Sequence, residues 1–484
     1  MMKFSILTLL LLFSFHLKAQ VVNRFVESEL QTEIPDLQAL LDASSLEKKS
    51  FVEGLSLAPK EKISIIKELN SSKTTIEKMV KNGDIIASGP IFNFVDSLLS
   101  AIKSKNSEIS SKAQIYIVRD LSANAFNTGD NIIFFNLGLL YRLKTVEEII
   151  YVICHELGHD LLDHGMKSVV GSRELFYNDS IKKEMRGRLQ RRYGTVSGIN
   201  ELMIPLLVAN QKNSRDHEYE ADSLGFAMYR KMNLNLNHPI NTFDVFKNIG
   251  HERSVEWDQK NPFLKYCSID TNQIKGKYKG SSMGSFTAEK KPYEEELKSH
   301  PYEDERKVAL LRQVDTKVDT LSVSKNNSWK FWIENEMIHE AFRQQDLTQM
   351  TYYILHSEPS YIDSSYVNEL FAMSYMIFAY TKESKQTGAW LGFSNRDKDN
   401  EYNDVLEYLR KLTPLQTFEI ASCLGTKMND LKMKTYFSAF QAAYEMNHEQ
   451  FKVQFQKIRE FDQVSVLYRM LLDHNNKYRL TLKF

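Results

Sequence analysis

Residues 149–159 read IIYVICHELGH, an apolar run that ends in two histidines four positions apart. On a helix, side chains four residues apart lie on one face, so the imidazoles of His155 and His159 can reach the same metal ion. Glu156 lies beside them, where its carboxylate can hold a water that the metal polarises. Because the preceding turns are strongly apolar, these polar groups need partners. Core histidines satisfied by local hydrogen bonds are the alternative interpretation.

A second polar segment supplies the remaining candidates for metal binding. Residues 214–222 read SRDHEYEAD. Catalytic zinc commonly takes three protein ligands and leaves a fourth position for water. Glu218 and Asp222 are four residues apart, so one carboxylate can bind zinc while the other accepts the outer N–H of a ligand histidine. His217 and Glu220 compete as ligands, but neither is followed one turn later by a carboxylate, so Glu218 is preferred.

The surrounding residues predict helices with a small group of strands. A capping box formed by Thr145 and Glu148 predicts a helix from there to about residue 164. Apolar spacing predicts further elements. The strands are 114–118 and 131–136, with Asn124-Ala125-Phe126 as a short extended piece between them, and the helices are 60–69, 74–81, 91–105 and 199–231, the last one long helix or a pair bent at Pro205.

The C-terminal third of the chain has helical spacing from about residue 328 to the end. Candidate helices are 328–343, 365–380, 427–446 and 448–461. No convincing repeat of about 34 residues is found. A degenerate array of helical hairpins still fits the pattern.

Composition limits the class of protein. The chain has 484 residues, of which 42% are hydrophobic and 26% charged, so a full core can be built and disorder of the whole chain is excluded. Lys plus Arg and Asp plus Glu are both 62, and this zero net charge argues against a dedicated nucleic-acid binder. The three cysteines cannot form a disulfide framework, so we expect stability to come from packing.

The first residues have the layout of a secretory signal peptide. Met1-Met2-Lys3 gives a positive start, residues 4–15 are apolar, and Ala19 is the expected residue before the cut. The apolar run is short for a spanning helix, which needs about 20 residues. We therefore expect export of a soluble mature protein to the periplasm or envelope. Secretion, and an uncleaved anchor, are the alternatives.

In these motifs the sequence resembles the zinc metallopeptidases that include HtpX-like, CAAX-prenyl-protease-like and BepA-like proteins. HELGH and SRDHEYEAD carry the resemblance first. Asn124-Ala125-Phe126, with Gly129 and the GLL at 138–140, resembles the family's approach to its active helix, and His300-Pro301 followed by Glu305-Arg306 resembles its HPxxxxR element. The resemblance covers about residues 91–312. Thr128-Gly129-Asp130 departs from the usual Pro-Gly-Gly of the family.

The resemblance implies a fold and a metal centre. The fold would be α+β and predominantly α, with a zincin core of the gluzincin type, a small β element and an α-helical C-terminal domain. His155, His159 and Glu218 would bind one zinc ion, and Glu156 would be the general base. Asp222 would orient a ligand histidine.

The resemblance also implies how a substrate would be held. Asn124, Ala125 and Phe126 would pair with an extended substrate as an added strand. His300 would be a catalytic residue close to the metal, either stabilising the oxyanion or plugging the open position, with a structural turn as the alternative. Arg306 is expected to be a buried ion-pair partner.

These observations predict a domain order and a function. We expect a signal peptide at 1–19, a helical region at 20–90, a zinc metallopeptidase domain at 91–315 and a helical domain at 325–484. The predicted activity is that of an exported zinc endopeptidase in envelope protein quality control, acting on unfolded or extended polypeptides. The alternative is a chaperone-like or scaffold protein that binds partners through its C-terminal helices and keeps a latent zinc site. We expect no nucleic-acid partner and no transmembrane segment in the mature protein, which disfavours a membrane-embedded prenyl-protein protease.

Overall fold

Helices make up most of the chain, and a small sheet accompanies them. The computed structural model describes residues 33–129, 131–177, 183, 195–249, 267, 302–314, 328–361, 363–385, 388, 390–392, 400–463 and 465–478. The predicted signal peptide and His300 lie outside the described residues. The predicted α+β, predominantly α, class is confirmed. Among the described residues, no helix is both long enough and apolar enough to cross a membrane.

The described residues fall into two compact units. The first contains residues 33–247 and 302–314 of the described set. Its helices are α1 (Pro35–Gly54), α2 (Pro59–Leu69), α3 (Ser71–Lys81), α4 (Pro90–Lys105), α5 (Leu137–Arg142), α6 (Val146–Leu161), α7 (His164–Tyr177), α8 (Thr195–Arg230), α9 (Asn237–Lys247) and α10 (Glu303–Leu311). Proline occupies the first turn of α1, α2 and α4, where its missing N–H costs no helical hydrogen bond.

Four strands form one sheet in the order β1 (Ile85–Ile86), β2 (Gln114–Val118), β4 (Ile132–Asn136) and β3 (Ala125–Asn127). The central strands β2 and β4 are parallel, and the outer strands β1 and β3 pair with them antiparallel. Every residue of β4 is buried, whereas β3, at the edge, is half-buried throughout. Because both faces of β4 are buried, its sequence is a run of apolar residues from Ile132 to Phe135 and not an alternation of apolar and polar residues.

The N-terminal helices cover one face of this sheet. Leu37 and Leu41 of α1 and Ile76 of α3 pack with Tyr116 and Phe134 in one buried cluster. Helices α4 and α6 also contact the strands. The sheet is therefore a buried layer, and α1 to α3 belong to the same unit as the strands.

Helix α6, which contains the HELGH motif, begins as predicted. The Thr145 hydroxyl accepts from the backbone N–H of Glu148, and the Glu148 carboxylate accepts from the backbone N–H of Thr145. The helix ends earlier than predicted, at Leu161, because Asp163 has a left-handed φ of 54° that turns the chain into α7. Residues 195–230 form the single helix α8, so the alternative of a helix pair at Pro205 is wrong.

Helices α6 and α8 approach each other closely through two glycines. A Cβ on Gly225 of α8 would lie 2.9 Å from the Cα and N of His155. A Cβ on Gly158 of α6 would lie 2.9 Å from the carbonyl oxygen of Ala221. Because backbone stands on both sides of each contact, only glycine allows this separation of the two helices.

The second unit contains residues 248–249, 267 and the described residues from Ser328 onward. Its helices are α11 (Ser328–Arg343), α12 (Leu347–His356), α13 (Ser364–Glu383), α14 (Asn400–Lys411), α15 (Pro414–Gly425), α16 (Leu431–Tyr444), α17 (His448–Phe461) and α18 (Val466–Lys477), with a 3₁₀ turn at Pro359–Tyr361. The predicted helices at 328–343 and 448–461 are confirmed. The sequence patterns do not predict α12, α14, α15 or α18.

The predicted helix 427–446 is too long at its start. It begins at Leu431, where the side chain of Asp430 accepts from the backbone N–H of Met433 and caps the helix. The preceding α15 is a separate helix with its own capping box, formed by Thr413 and Gln416. Side-chain caps therefore set the boundary that apolar spacing missed.

A disulfide joins Cys267 to Cys423 of α15, across 156 positions of sequence. The expectation that stability comes from packing alone is therefore wrong for the second unit. Three cysteines exclude a framework of several bridges but not a single one. Cys154 is a free thiol, fully buried in α6, and burial raises its pKa far above the ordinary value, so it acts as a small apolar side chain.

Substituting Gly225 tests the close helix contact. We expect G225A to lower the free energy of unfolding by about 1–3 kcal/mol, because the new methyl group meets backbone that cannot rotate away. The matched control is G171A in α7, where a Cβ meets nothing within 4 Å, so the gain in helix propensity should stabilise by up to about 1 kcal/mol. Thermal unfolding of the full chain measures both. A G225A protein as stable as the wild type would contradict the contact.

Candidate active site

The two histidines of HELGH face one point in the first unit. The Nε2 atoms of His155 and His159 are 3.1 Å apart, and both side chains are mostly buried. Their rings are 4.7 Å apart, centre to centre, and nearly perpendicular. One helix face therefore presents two imidazole nitrogens to a shared position.

Glu218 of α8 completes the group. Its carboxylate oxygens lie 3.6 Å from His155 Nε2 and 3.4 Å from His159 Nε2. Two atoms bound to zinc at about 2.0–2.2 Å in tetrahedral geometry are about 3.3 Å apart. The two imidazole nitrogens, and each nitrogen with its nearer Glu218 oxygen, lie at about that spacing. Two imidazoles with one carboxylate are a donor set of catalytic zinc sites. These three residues could hold a metal ion.

A buried arginine supports the carboxylates. The Arg306 guanidinium of α10 bonds both oxygens of Asp222 at 2.7 Å and lies 3.0 Å from a Glu218 oxygen. Its other neighbour is the Phe243 ring, whose centre lies 5.1 Å from the guanidinium carbon. The expectation that Arg306 is a buried ion-pair partner is confirmed.

Asp222 links this arginine to a metal-site histidine. One of its oxygens lies 3.0 Å from His155 Nδ1 and accepts from the Tyr151 hydroxyl at 3.1 Å. Burial alone would raise the pKa of the Asp222 carboxyl, but the Arg306 guanidinium and the nearby His155 ring outweigh it and lower that pKa. The carboxylate thus stays ionised and faces the outer nitrogen of His155.

His159 has a different neighbour at its outer nitrogen. Its Nδ1 lies 2.9 Å from Nδ1 of His164, and His164 Nε2 lies 3.0 Å from a Glu220 oxygen. The His217 ring stacks on the His164 ring with centres 4.2 Å apart. His217 and Glu220, which competed as ligands in the sequence, therefore surround His164 and do not join the three donors.

Glu156 is buried beside the three donors. Burial raises the pKa of its carboxyl, while the charges of His155 and His159 act in the opposite direction. The nearby Glu218 carboxylate raises the Glu156 pKa further. A carboxylate in this environment is well suited to accept a proton close to the metal position.

The segment Asn124–Phe126 lies at the edge of the sheet. Ala125 and Phe126 belong to β3, the edge strand, which contacts α6. The Phe126 ring stacks on Phe134 of the neighbouring strand at 5.1 Å. The segment therefore runs beside the active-site helix with one edge unpaired by any other strand of the described sheet.

The turn that follows β3 contains Thr128 and Gly129, where the sequence departs from the family's usual Pro-Gly-Gly. Gly129 keeps a glycine where φ is 71°, and its N–H donates to the Asn127 side chain at 2.5 Å. Two other elements hold the turn. Lys48 Nζ of α1 donates to the Thr128 carbonyl at 3.3 Å, and Asp160 of α6 accepts from the Asn131 N–H at 3.1 Å.

Sequence reasoning missed several contributors to this site. Lys48 lies in α1, far from the motifs in sequence, and no pattern connects it to the turn. Tyr151 was detectable in principle, because it precedes His155 by one helical turn on the same face. Asp160 directly follows the HELGH motif and gives no signal of its own.

One comparison with known proteins identifies the region. A search of the curated proteins finds no match. The model of peptidase family M48 matches residues 94–314, which include both metal-site helices, the edge strand and Arg306. The match has the same extent as the resemblance of the motifs. Over residues 94–314 this chain is therefore similar to peptidase family M48, a family of metallopeptidases.

Proposed function

We propose that the protein is an exported zinc endopeptidase, with His155, His159 and Glu218 as zinc ligands. The observation that carries the proposal is the convergence of two imidazole nitrogens and one carboxylate from two helices, with nitrogen–nitrogen and nitrogen–oxygen distances of 3.1–3.6 Å. A zinc ion held there would acidify a water and polarise the scissile carbonyl. The match to the model of peptidase family M48 supports the peptidase class.

Glu156 is proposed as the general base. It follows His155 in the helix and is buried among the donors, so its carboxylate can take the proton of the attacking water and pass it to the leaving amine. Asp222 and Arg306 are proposed to orient the ligands. The Asp222 carboxylate fixes the ring of His155 through Nδ1, and Arg306 holds the Glu218 carboxylate.

The edge strand is proposed to bind substrate. Asn136 N–H donates to the Asn124 carbonyl, and bonded pairs alternate along an antiparallel ladder. The backbone groups of Phe126 thus face β4, and those of Ala125 and Asn127 face away from it. An extended polypeptide could pair with these outward groups.

Such pairing reads the main chain and few side chains. We therefore propose unfolded or extended polypeptides as substrates, in keeping with a role in envelope protein quality control. Binding of partner proteins by the C-terminal helices stays a prediction. So does a role for His300 near the metal.

Export is supported by two independent features. The first residues have the layout of a signal peptide, and Cys267 is paired with Cys423. Disulfides persist in oxidising compartments and are rare in the reducing cytosol. The periplasm or the cell exterior supplies the former environment.

Two isosteric variants separate metal binding from catalysis. E156Q should keep one zinc per chain and lose about 10²–10⁴-fold in cleavage of an unfolded casein, because only the base is removed. E218Q should lose both zinc and cleavage. Zinc content and proteolysis are measured on the same purified samples. Full activity of E156Q with stoichiometric zinc would disprove the role of Glu156, and a wild type without zinc would disprove the metal site.

A proline at position 125 tests the substrate edge. A125P removes one outward N–H without touching the bonds to β4, and edge strands tolerate proline. A hydrogen bond contributes about 1 kcal/mol, so kcat/KM for a peptide should fall about fivefold with zinc content unchanged. The control A125V keeps the N–H and should retain activity. Equal kinetics for the two variants would argue against strand pairing at Ala125.

Export is tested by the N-terminus and the thiols of the protein made in a two-membrane bacterium. We expect to find the mature chain in the periplasmic fraction. It should start at Gln20, and its digest should contain two peptides linked through Cys267 and Cys423. The matched control lacks residues 2–19 and should stay in the cytoplasm with both thiols reduced. A protein that is found in the cytoplasm with residues 1–19 still attached would overturn export.

A further inference from the structure

The outer nitrogens of the two metal-site histidines have unlike partners. His155 Nδ1 faces Asp222, a fully buried carboxylate bonded by Arg306. His159 Nδ1 faces another imidazole, that of His164 at 2.9 Å. The match to the family model and the three donor atoms do not account for this second arrangement.

We infer that His164 and Glu220 form a relay that orients His159 and fixes its tautomer for metal binding. His164 would act as a positioning residue, and Glu220 would in turn position His164. The inference rests on the proposed function, because it takes His159 as a zinc ligand.

The direction of each hydrogen bond follows from the metal position at one end of the relay and from the Glu220 carboxylate at the other. His159 Nε2 is the nitrogen that faces His155 and Glu218, so a metal would bind there and the proton must sit on Nδ1. That N–H can only donate, and His164 Nδ1 accepts it. The remaining proton of His164 then lies on Nε2, where the Glu220 carboxylate accepts it at 3.0 Å. No other assignment satisfies both contacts.

The position of His164 is itself held by the fold. Asp163, at φ 54°, ends the run of α6 and turns the chain so that α7 starts at His164 itself. Met166 and Val169 of α7 pack on Val52 and Ile65 of the N-terminal helices. His164 is buried, with a side chain only 4% exposed, whereas that of Glu220 is 58% exposed.

The relay gives the two histidines unequal support. The partner of His155 is a charged carboxylate that is shielded from solvent. The partner of His159 is a neutral ring whose own carboxylate is solvated. Partners of ligand histidines typically contribute about 10–100-fold to metal affinity, so loss of the relay should weaken zinc binding without removing any donor atom.

Two substitutions of His164 separate positioning from packing. H164F keeps an aromatic ring to stack on His217 but offers no acceptor to His159. H164N loses the ring but can place an amide oxygen near the former Nδ1. Positioning predicts that H164F binds zinc about 10–100-fold more weakly than the wild type and that H164N retains most of the affinity. Packing alone predicts the opposite order, with H164N the more damaged protein.

The readouts are the zinc dissociation constant, from competition with a chelator, and thermal unfolding of the metal-free full chain. E220A offers a variant at a more exposed side chain that should fold normally. It should lower zinc affinity severalfold, whereas D216A, which removes the same charge from an exposed position of α8, should leave it unchanged.

Three results would overturn the relay while zinc binding by the wild type upholds the proposed function. The first is an H164F protein that binds zinc as tightly as the wild type. The second is a zinc affinity of H164F and H164N that changes in parallel with the stability of their metal-free forms. The third is an equal effect of E220A and D216A on zinc affinity. A wild type that binds no zinc would instead overturn the proposed function together with the relay.

Discussion

The ion pairing of Arg306 with Asp222 and Glu218 is the interaction on which the site depends. Two carboxylates lie within the buried centre of the first unit, and their charges would be costly there without a cation. Arg306 pairs with both of them from a helix more than 80 positions later in the chain. Removing such a partner from a buried pair generally costs about 3–5 kcal/mol. Helix α10 therefore contributes to the metal centre although it supplies no donor atom.

The same centre requires two helices to approach more closely than side chains permit. Gly158 and Gly225 remove the obstacle from each side, and the donor atoms from α6 and α8 then come within 3.6 Å. The N-terminal helices act at a distance from this contact. They bury one face of the sheet, hold α7 against α2 and tie the turn after the edge strand through Lys48.

The second unit shows where pattern reading fails. In α12 all residues from Leu347 to Leu355 are buried, the polar Thr348, Gln349 and Thr351 among them, so its polar residues do not mark a solvent-exposed face. The start of α15 depends on the cap Thr413 and the start of α16 on the cap Asp430, and apolar spacing does not register either cap. The disulfide joins residues 156 positions apart, and sequence spacing gives no indication of such a pairing.

By itself, the sequence determined which side chains of the first unit could hold a metal ion. HELGH fixes two imidazoles on one helix face because the helical period is local, and the capping box at Thr145 is local for the same reason. The preference for Glu218 over His217 and Glu220 also follows from spacing within one helix. Only the tertiary structure decided which of these groups meet: that Asp222 faces His155 and not His159, that His164 faces His159, and that the ion pairs of Arg306 are with Asp222 and Glu218. These contacts join residues of separate elements, and they depend on how helices pack and on which groups lose water together, which no local pattern encodes.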